Sequence, residues 1–180
     1  MKARTRVIGK MSEEAFWDKE KGRLGILGHR RVAIDAQALC EHLDSLLGSQ
    51  VAEVIINNHE VRLGKEDAEG IRREKPQATI QEILDQLAEA DRLSGMGVVK
   101  VTVLPGQVDL TRIAVEISDP CVTRTEGASR AFVCSYWSGV LSALLGGEFE
   151  AKNVTCDTDK KVMKCQISRR VDTDQERSEP

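Results

Sequence analysis

ASRAFVCSYWSGVLSALL, residues 128–145, is the most apolar segment of the chain, and Gly146 and Gly147 stop it. Wound as a helix, it places Phe132, Val133, Tyr136, Trp137, Val140, Leu141, Leu144 and Leu145 over more than half of its circumference. A helix apolar over so wide an arc is buried on most sides. The remaining stripe is small: Ala131, Ser135, Ser138, Gly139 and Ser142. Such a stripe lets another backbone approach closely, either within the fold or across a dimer interface.

The segments on both sides alternate with period 2. Upstream, Val99, Val101 and Val103 alternate with Lys100 and Thr102, and Ile113, Val115 and Ile117 with Arg112, Ala114 and Glu116. With turn chemistry at Pro105–Gly106 these predict an antiparallel hairpin. Downstream, 148–156 and 162–170 predict a second hairpin around a turn at 157–161. Before the first hairpin the period is helical. Ala36, Leu39, Cys40, Leu43, Leu46 and Leu47 share one face up to Gly48. A second helix from Ser49 carries Val51, Val54, Ile55, Asn58 and Val61 on one side, with Gly64 read as its end. Residues 65–75 read as a charged helix or loop that Pro76 terminates. A third helix spans 79–93, with Ile80, Ile83, Leu84 and Leu87 as its buried stripe. Ser12 is read as the cap of a short helix through Phe16 and Trp17 that ends at Gly22.

This order gives three parts: a lead-in with a short helix over 1–31, one domain over 32–170, and a disordered tail over 171–180. At 180 residues a single domain buries roughly 70% of its unfolded surface, enough for a core without disulfides or metals. A net charge of −3 argues against direct nucleic-acid binding. No run of about 18 apolar residues occurs, so no membrane span is expected. Five cysteines without an apolar leader fit reduced thiols and a cytoplasmic location.

Catalytic chemistry finds little support. His29, His42 and His59 are scattered, and no nucleophile elbow, paired zinc histidines or dinucleotide fingerprint is present. Cys134 on the apolar helix and the pair Cys156 and Cys165, spaced C-x8-C, are candidate zinc ligands, because thiolates from a hairpin and an adjacent helix can meet at one tetrahedral ion. The alternative is three buried free thiols acting as small hydrophobes.

SGVLSALLG (138–146), an extended segment, Cys156, a short turn and Cys165 together resemble the 4-vinyl-reductase-domain family. The resemblance covers about residues 30–170, with its specific signal in 128–168. It implies an α+β domain: helices packed on one face of a twisted antiparallel sheet built from two hairpins, with the apolar helix between them, often as a homodimer. It also implies an apolar cavity for a small, aromatic or lipid-like ligand, as in aromatic-sensing regulators and vesicle-tethering subunits. Zinc-binding members of the family use a cysteine near the start of the helix, the Glu of Glu-x-x-Cys and two hairpin cysteines. Here Arg130 stands at the first of these positions, Asn153 replaces the Glu, Cys156 matches, and Cys165 falls one residue late.

The expected function is therefore a non-catalytic sensory or carrier domain. Its pocket is expected between the 134–145 stretch of the apolar helix and the helices carrying Leu39, Leu43, Val54 and Ile55, with Phe132, Trp137 and Leu141 of the apolar helix as wall residues. The alternatives are a dimeric adaptor without a ligand and, more remotely, a part in tetrapyrrole vinyl reduction.

Overall fold

The structure, a computed structural model, describes residues 15–18, 23–26, 29–31, 35–104 and 112–170. Strands β1 (Ala15–Asp18), β2 (Arg23–Ile26) and β3 (His29–Arg31) form a three-stranded antiparallel meander. Ala15–Asp18 corrects the short helix expected there: aromatic residues such as Phe16 and Trp17 favour extended backbone, and here the strand pairs with β2. The Pro105–Gly106 turn, the Ser12 cap and the 171–180 tail lie outside the described residues.

The domain proper begins with helix α1 (Ala36–Leu47), whose N-cap Asp35 accepts from the Ala38 N–H at 2.9 Å. Helix α2 (Ser49–Glu74) follows and runs through both Gly64 and the charged 65–75 segment. Helix α3 (Ile80–Ser94) starts on a capping box made by Thr79 and Glu82 and stops at Gly95, which is left-handed. The first hairpin is β4 (Val98–Val103) with β5 (Arg112–Ser118). Helix α4 (Gly127–Leu145) precedes the second hairpin, β6 (Phe149–Asp157) with β7 (Val162–Arg169).

The two hairpins join through β5 and β7 into one antiparallel sheet of order β4-β5-β7-β6. Its register stacks Val101, Val115 and Cys165 across three strands and pairs Ile113 with Ile167 and Ile117 with Met163. All seven are buried, so the period-2 alternation turns one face of the sheet inward. Lys164 and Glu116, paired at 2.7 Å, lie on the opposite face. Helix α4 packs against β6 and β7, and α2 packs against α4. The architecture is the α+β arrangement expected, with α4 as the layer between the sheet and α2. Among the described residues, no helix is long and apolar enough to cross a membrane.

The α2–α4 contact is made by backbone. A Cβ added to Gly64 would lie 2.1 Å from the Tyr136 carbonyl oxygen, and one added to Gly139 would lie 2.1 Å from that of Val61. Gly64 is thus an approach point inside a continuous helix and not the terminator its neighbourhood suggested. Contacts rise together along the two helices, from Glu53 with Arg130 through Asn57 with Ser135 to Arg72 with Leu144, so the helices run parallel. The start of α4 is fixed from outside: Glu126 makes no capping bond with its side chain, and Asp44 of α1 accepts from the Ala128 N–H at 3.0 Å.

Two glycines of α2 should respond oppositely to alanine. Gly64→Ala should destabilise by about 3 kcal/mol, at the upper end of overpacking costs, because the obstacle is backbone. Gly70→Ala has open space around its Cβ and should stabilise by about 0.5–1 kcal/mol through helix propensity. Urea denaturation of the two variants checks the assignment, and equal effects would overturn it.

Candidate functional site

Helix α4 presents two chemically different sides. Toward the sheet, Leu141 and Leu145 join Ile80 and Leu84 of α3, Val103 of β4 and Ile113 of β5 around a cavity of about 290 Å³. Thr79, Gln81 and Arg112 complete its wall, and Arg112 is the one titratable group among its described lining residues. The volume is close to the lower end of small-molecule sites, roughly 300–1,000 Å³.

Toward α2 and the edge strand β6 lies a groove of about 610 Å³, and its wall is polar. Ser135, Ser138 and Ser142 of α4 face it together with Asn57 and Lys65 of α2 and Glu150 of β6. The Ser135 hydroxyl donates to Asn57 Oδ1 at 2.7 Å, and the Tyr136 hydroxyl donates to the buried Asp67 carboxylate at 3.1 Å. Arg130 ties three elements: its guanidinium lies 3.3 Å from Glu53 of α2 and donates to the Ala151 carbonyl of β6 at 3.1 Å.

Of the seven residues expected to bind ligand, Leu141 stands in the wall of the apolar cavity. Trp137, 1% exposed, is core and meets the Tyr136 ring edge-on at 5.6 Å between centroids. Phe132 and Leu43 are half-buried against that core, and Leu39 is half-buried on α1. Val54 and Ile55 are 58% and 48% exposed, so they do not form the inner wall assigned to them. The walls contributed by Ile80, Leu84, Val103, Ile113 and Leu145 were legible as buried stripes, but periodicity does not tell a core neighbour from a cavity wall.

The candidate zinc ligands are only partly brought together. Interaction with the Cys165 thiol, together with burial, pushes Cys134 well above the ordinary thiol value, while the Cys134 thiol and the Arg130 charge hold Cys165 below it. Cys156 sits on the edge strand opposite Met163, beyond an irregularity between Lys152 and Thr155. Asn153, at the position of the family's Glu, donates to Gln166 at 3.1 Å. Among the described residues no three His, Cys, Asp or Glu side chains converge as a metal-binding group. Arg130 also places a fixed positive charge beside the two thiols. The residues present do not fit the zinc site suggested by the resemblance.

No protein-family profile matches the chain, and no curated protein does. Solved structures do. The phenol-responsive sensory domain of the transcription activator PoxR, solved with phenol, superposes with a TM-score of 0.68 at 16% identity, over 87% of this chain and 85% of that one. The chain shares that domain's fold. Weaker matches are a vinyl-4-reductase family protein from Methanocaldococcus jannaschii (TM-score 0.42, 13% identity, 79% of this chain and 100% of that one) and a trafficking protein particle complex subunit 3 from Naegleria fowleri covalently bound to palmitic acid (0.39, 14%, 76% and 96%). The resemblance drawn from the C-terminal helix and hairpin holds at the level of the fold.

If Arg130 holds the α2–α4–β6 corner without a metal, Arg130→Ala should cost about 1 kcal/mol, the scale of a half-exposed charged tie. A strong chelator should leave the melting temperature of the unaltered protein unchanged. Thermal melts with and without chelator check both expectations, and a chelator-sensitive melt would restore the metal.

Proposed function

We propose that this chain is a non-catalytic module that binds a small apolar or aromatic molecule in the cavity between α3, α4 and the β4–β5 hairpin. The observation that carries the reading is the wall of that cavity: among the described residues, six aliphatic side chains with Thr79, Gln81 and Arg112 as the polar groups. Such a wall holds a ligand by desolvation and lacks the nucleophile and base that turnover needs. An apolar cavity of about 150 Å³ is enough to bind benzene. A single aromatic ring therefore suits about 290 Å³. The PoxR sensory domain, which has this fold, is solved with phenol, and that supports a ligand of the same scale and a sensory or carrier role. Five free cysteines support residence in a reducing cytoplasm.

Phenol, toluene and octanoate should be titrated separately into the purified protein by calorimetry. At least one should bind with a negative heat-capacity change, and at 100 times its Kd it should stabilise the fold by about 2.7 kcal/mol. Leu141→Trp, which fills the cavity from α4, should weaken that binding more than tenfold while the protein still melts cooperatively. Equal binding by the variant, or no binding by any of the three, would sink the proposal.

One further observation favours a role in assembly alongside ligand binding. Leu46, Leu47, Val51, Val54 and Ile55 are 43–66% exposed and adjoin one another across the α1–α2 turn. Exposed apolar surface of this kind marks an interaction site. A second copy of the chain is the occupant proposed, since a two-fold pair brings this patch against itself. Light scattering should give a dimer that Val54→Glu converts to a monomer with an unchanged melting cooperativity; a monomer throughout would remove this reading.

A further inference from the structure

Two sulfurs meet where α3 gives way to β4 and the chain leaves β5, at the opposite end of these strands from the Val103 and Ile113 wall of the cavity. The Cys121 thiol donates to the Met96 sulfur at 3.6 Å. The backbone repeats the contact, for the Cys121 N–H donates to the Met96 carbonyl at 3.3 Å. Met96 is fixed in turn by α3, its N–H donating to the Asp91 carbonyl at 3.0 Å. Gly97, at φ +119°, lets this loop lie against the end of β5: a Cβ there would come within 2.8 Å of the Ile117 side chain and of the Ser118 carbonyl oxygen. Both sulfur-bearing residues are half-buried, so a small ion reaches them from solvent.

We infer that Cys121 and Met96 form a binding site for a soft monovalent cation, copper(I), held between a thiolate and a thioether. Soft sulfur donors of these two kinds select copper(I). Zinc takes four ligands in a structural site, and among the described residues no three His, Cys, Asp or Glu side chains converge to supply them. With metal–sulfur bonds of about 2.3 Å, the length of a zinc–thiolate bond, two sulfurs 3.6 Å apart hold the ion at the apex of a bent pair. Its open side takes a water or a small exogenous thiol.

On binding, the Cys121 sulfur–metal bond replaces its S–H bond, the proton passes to solvent, and no electron moves. Both donors are placed by backbone hydrogen bonds before the ion arrives, which is the preorganisation a metal site needs. The bound ion ties the loop after α3 to the segment after β5. None of these residues lines the apolar cavity, so the site does not depend on what the cavity binds.

The test uses the full chain, reduced, stripped of metal and kept free of oxygen. Copper(I) is supplied as its bicinchoninate complex, and transfer is read from the loss of that complex's colour. One equivalent should transfer and should shield Cys121, the single cysteine of tryptic peptide 113–124, from iodoacetamide. Met96→Leu removes the sulfur with little change of volume. It should weaken copper(I) binding by roughly tenfold or more, since even outer-shell changes at metal sites cost about 10–100-fold. Cys121→Ser should remove the equivalent altogether. The shielding measurement uses the unaltered protein, so a folding defect in either variant leaves the test standing. The inference is overturned if no copper transfers, if the loaded protein leaves Cys121 as reactive as the copper-free protein, or if folded Met96→Leu binds with unchanged affinity.

Discussion

Two glycines without Cβ atoms, Gly64 and Gly139, set the distance between α2 and α4, and the rest of the domain is arranged around that distance. Each leaves a space that the other helix's carbonyl occupies. At such separation the helices hold each other through dispersion over a long contact, and polar pairs fix the register. Asp67 is the costly member of those pairs. A buried carboxylate loses its hydration, and the Tyr136 hydroxyl restores part of it at 3.1 Å. The arrangement therefore selects one rotation of α4 about its axis. Arg72 acts at the far end, donating to the Ala143 and Leu144 carbonyls that α4 leaves without helical partners.

With that rotation fixed, the two sides of α4 acquire different chemistry from one sequence. Ser135, Ser138 and Ser142 face the groove shared with α2 and β6, and Leu141 and Leu145 face the sheet. The apolar cavity lies where α3, packed against β4, meets the C-terminal half of α4 and the ends of the first hairpin. An apolar molecule bound there would draw on burial alone, and a wall with few polar groups suits that.

The hairpins, α3 and α4 were legible because each obeys a clear period and is closed by glycine or capping residues. Helix α2 was not, and its failure is instructive. Its buried face holds Ala52, Ile56, Glu60, Gly64, Asp67, Ala68 and Ile71, while Val51, Val54 and Ile55 are exposed. Hydropathy ranks these faces the wrong way round. A helix packed backbone to backbone wants small residues at the contact and tolerates carboxylates that find partners, so its inner face reads as polar. Gly64 misled for the same reason: inside a helix it costs about 1 kcal/mol locally, and only the partner helix, far away in sequence, explains it. The pocket was sought on the Val54–Ile55 side because of this inversion, and Leu141 was found because it belongs to the helix whose pattern was unambiguous.

Arg130 shows the same dependence on partners that are distant in the chain. In the structure it ties α2, α4 and β6 together. A zinc ion needs several deprotonated donors converging on one point. A guanidinium needs only acceptors at its edges, and Glu53 and the Ala151 carbonyl provide them from two different elements. The same guanidinium lies beside the Cys134 and Cys165 thiols and acts to lower the pKa of each. Charge and hydrogen bonding thus link α2, α4 and β6 at the start of α4, the same elements whose packing sets the rotation of that helix.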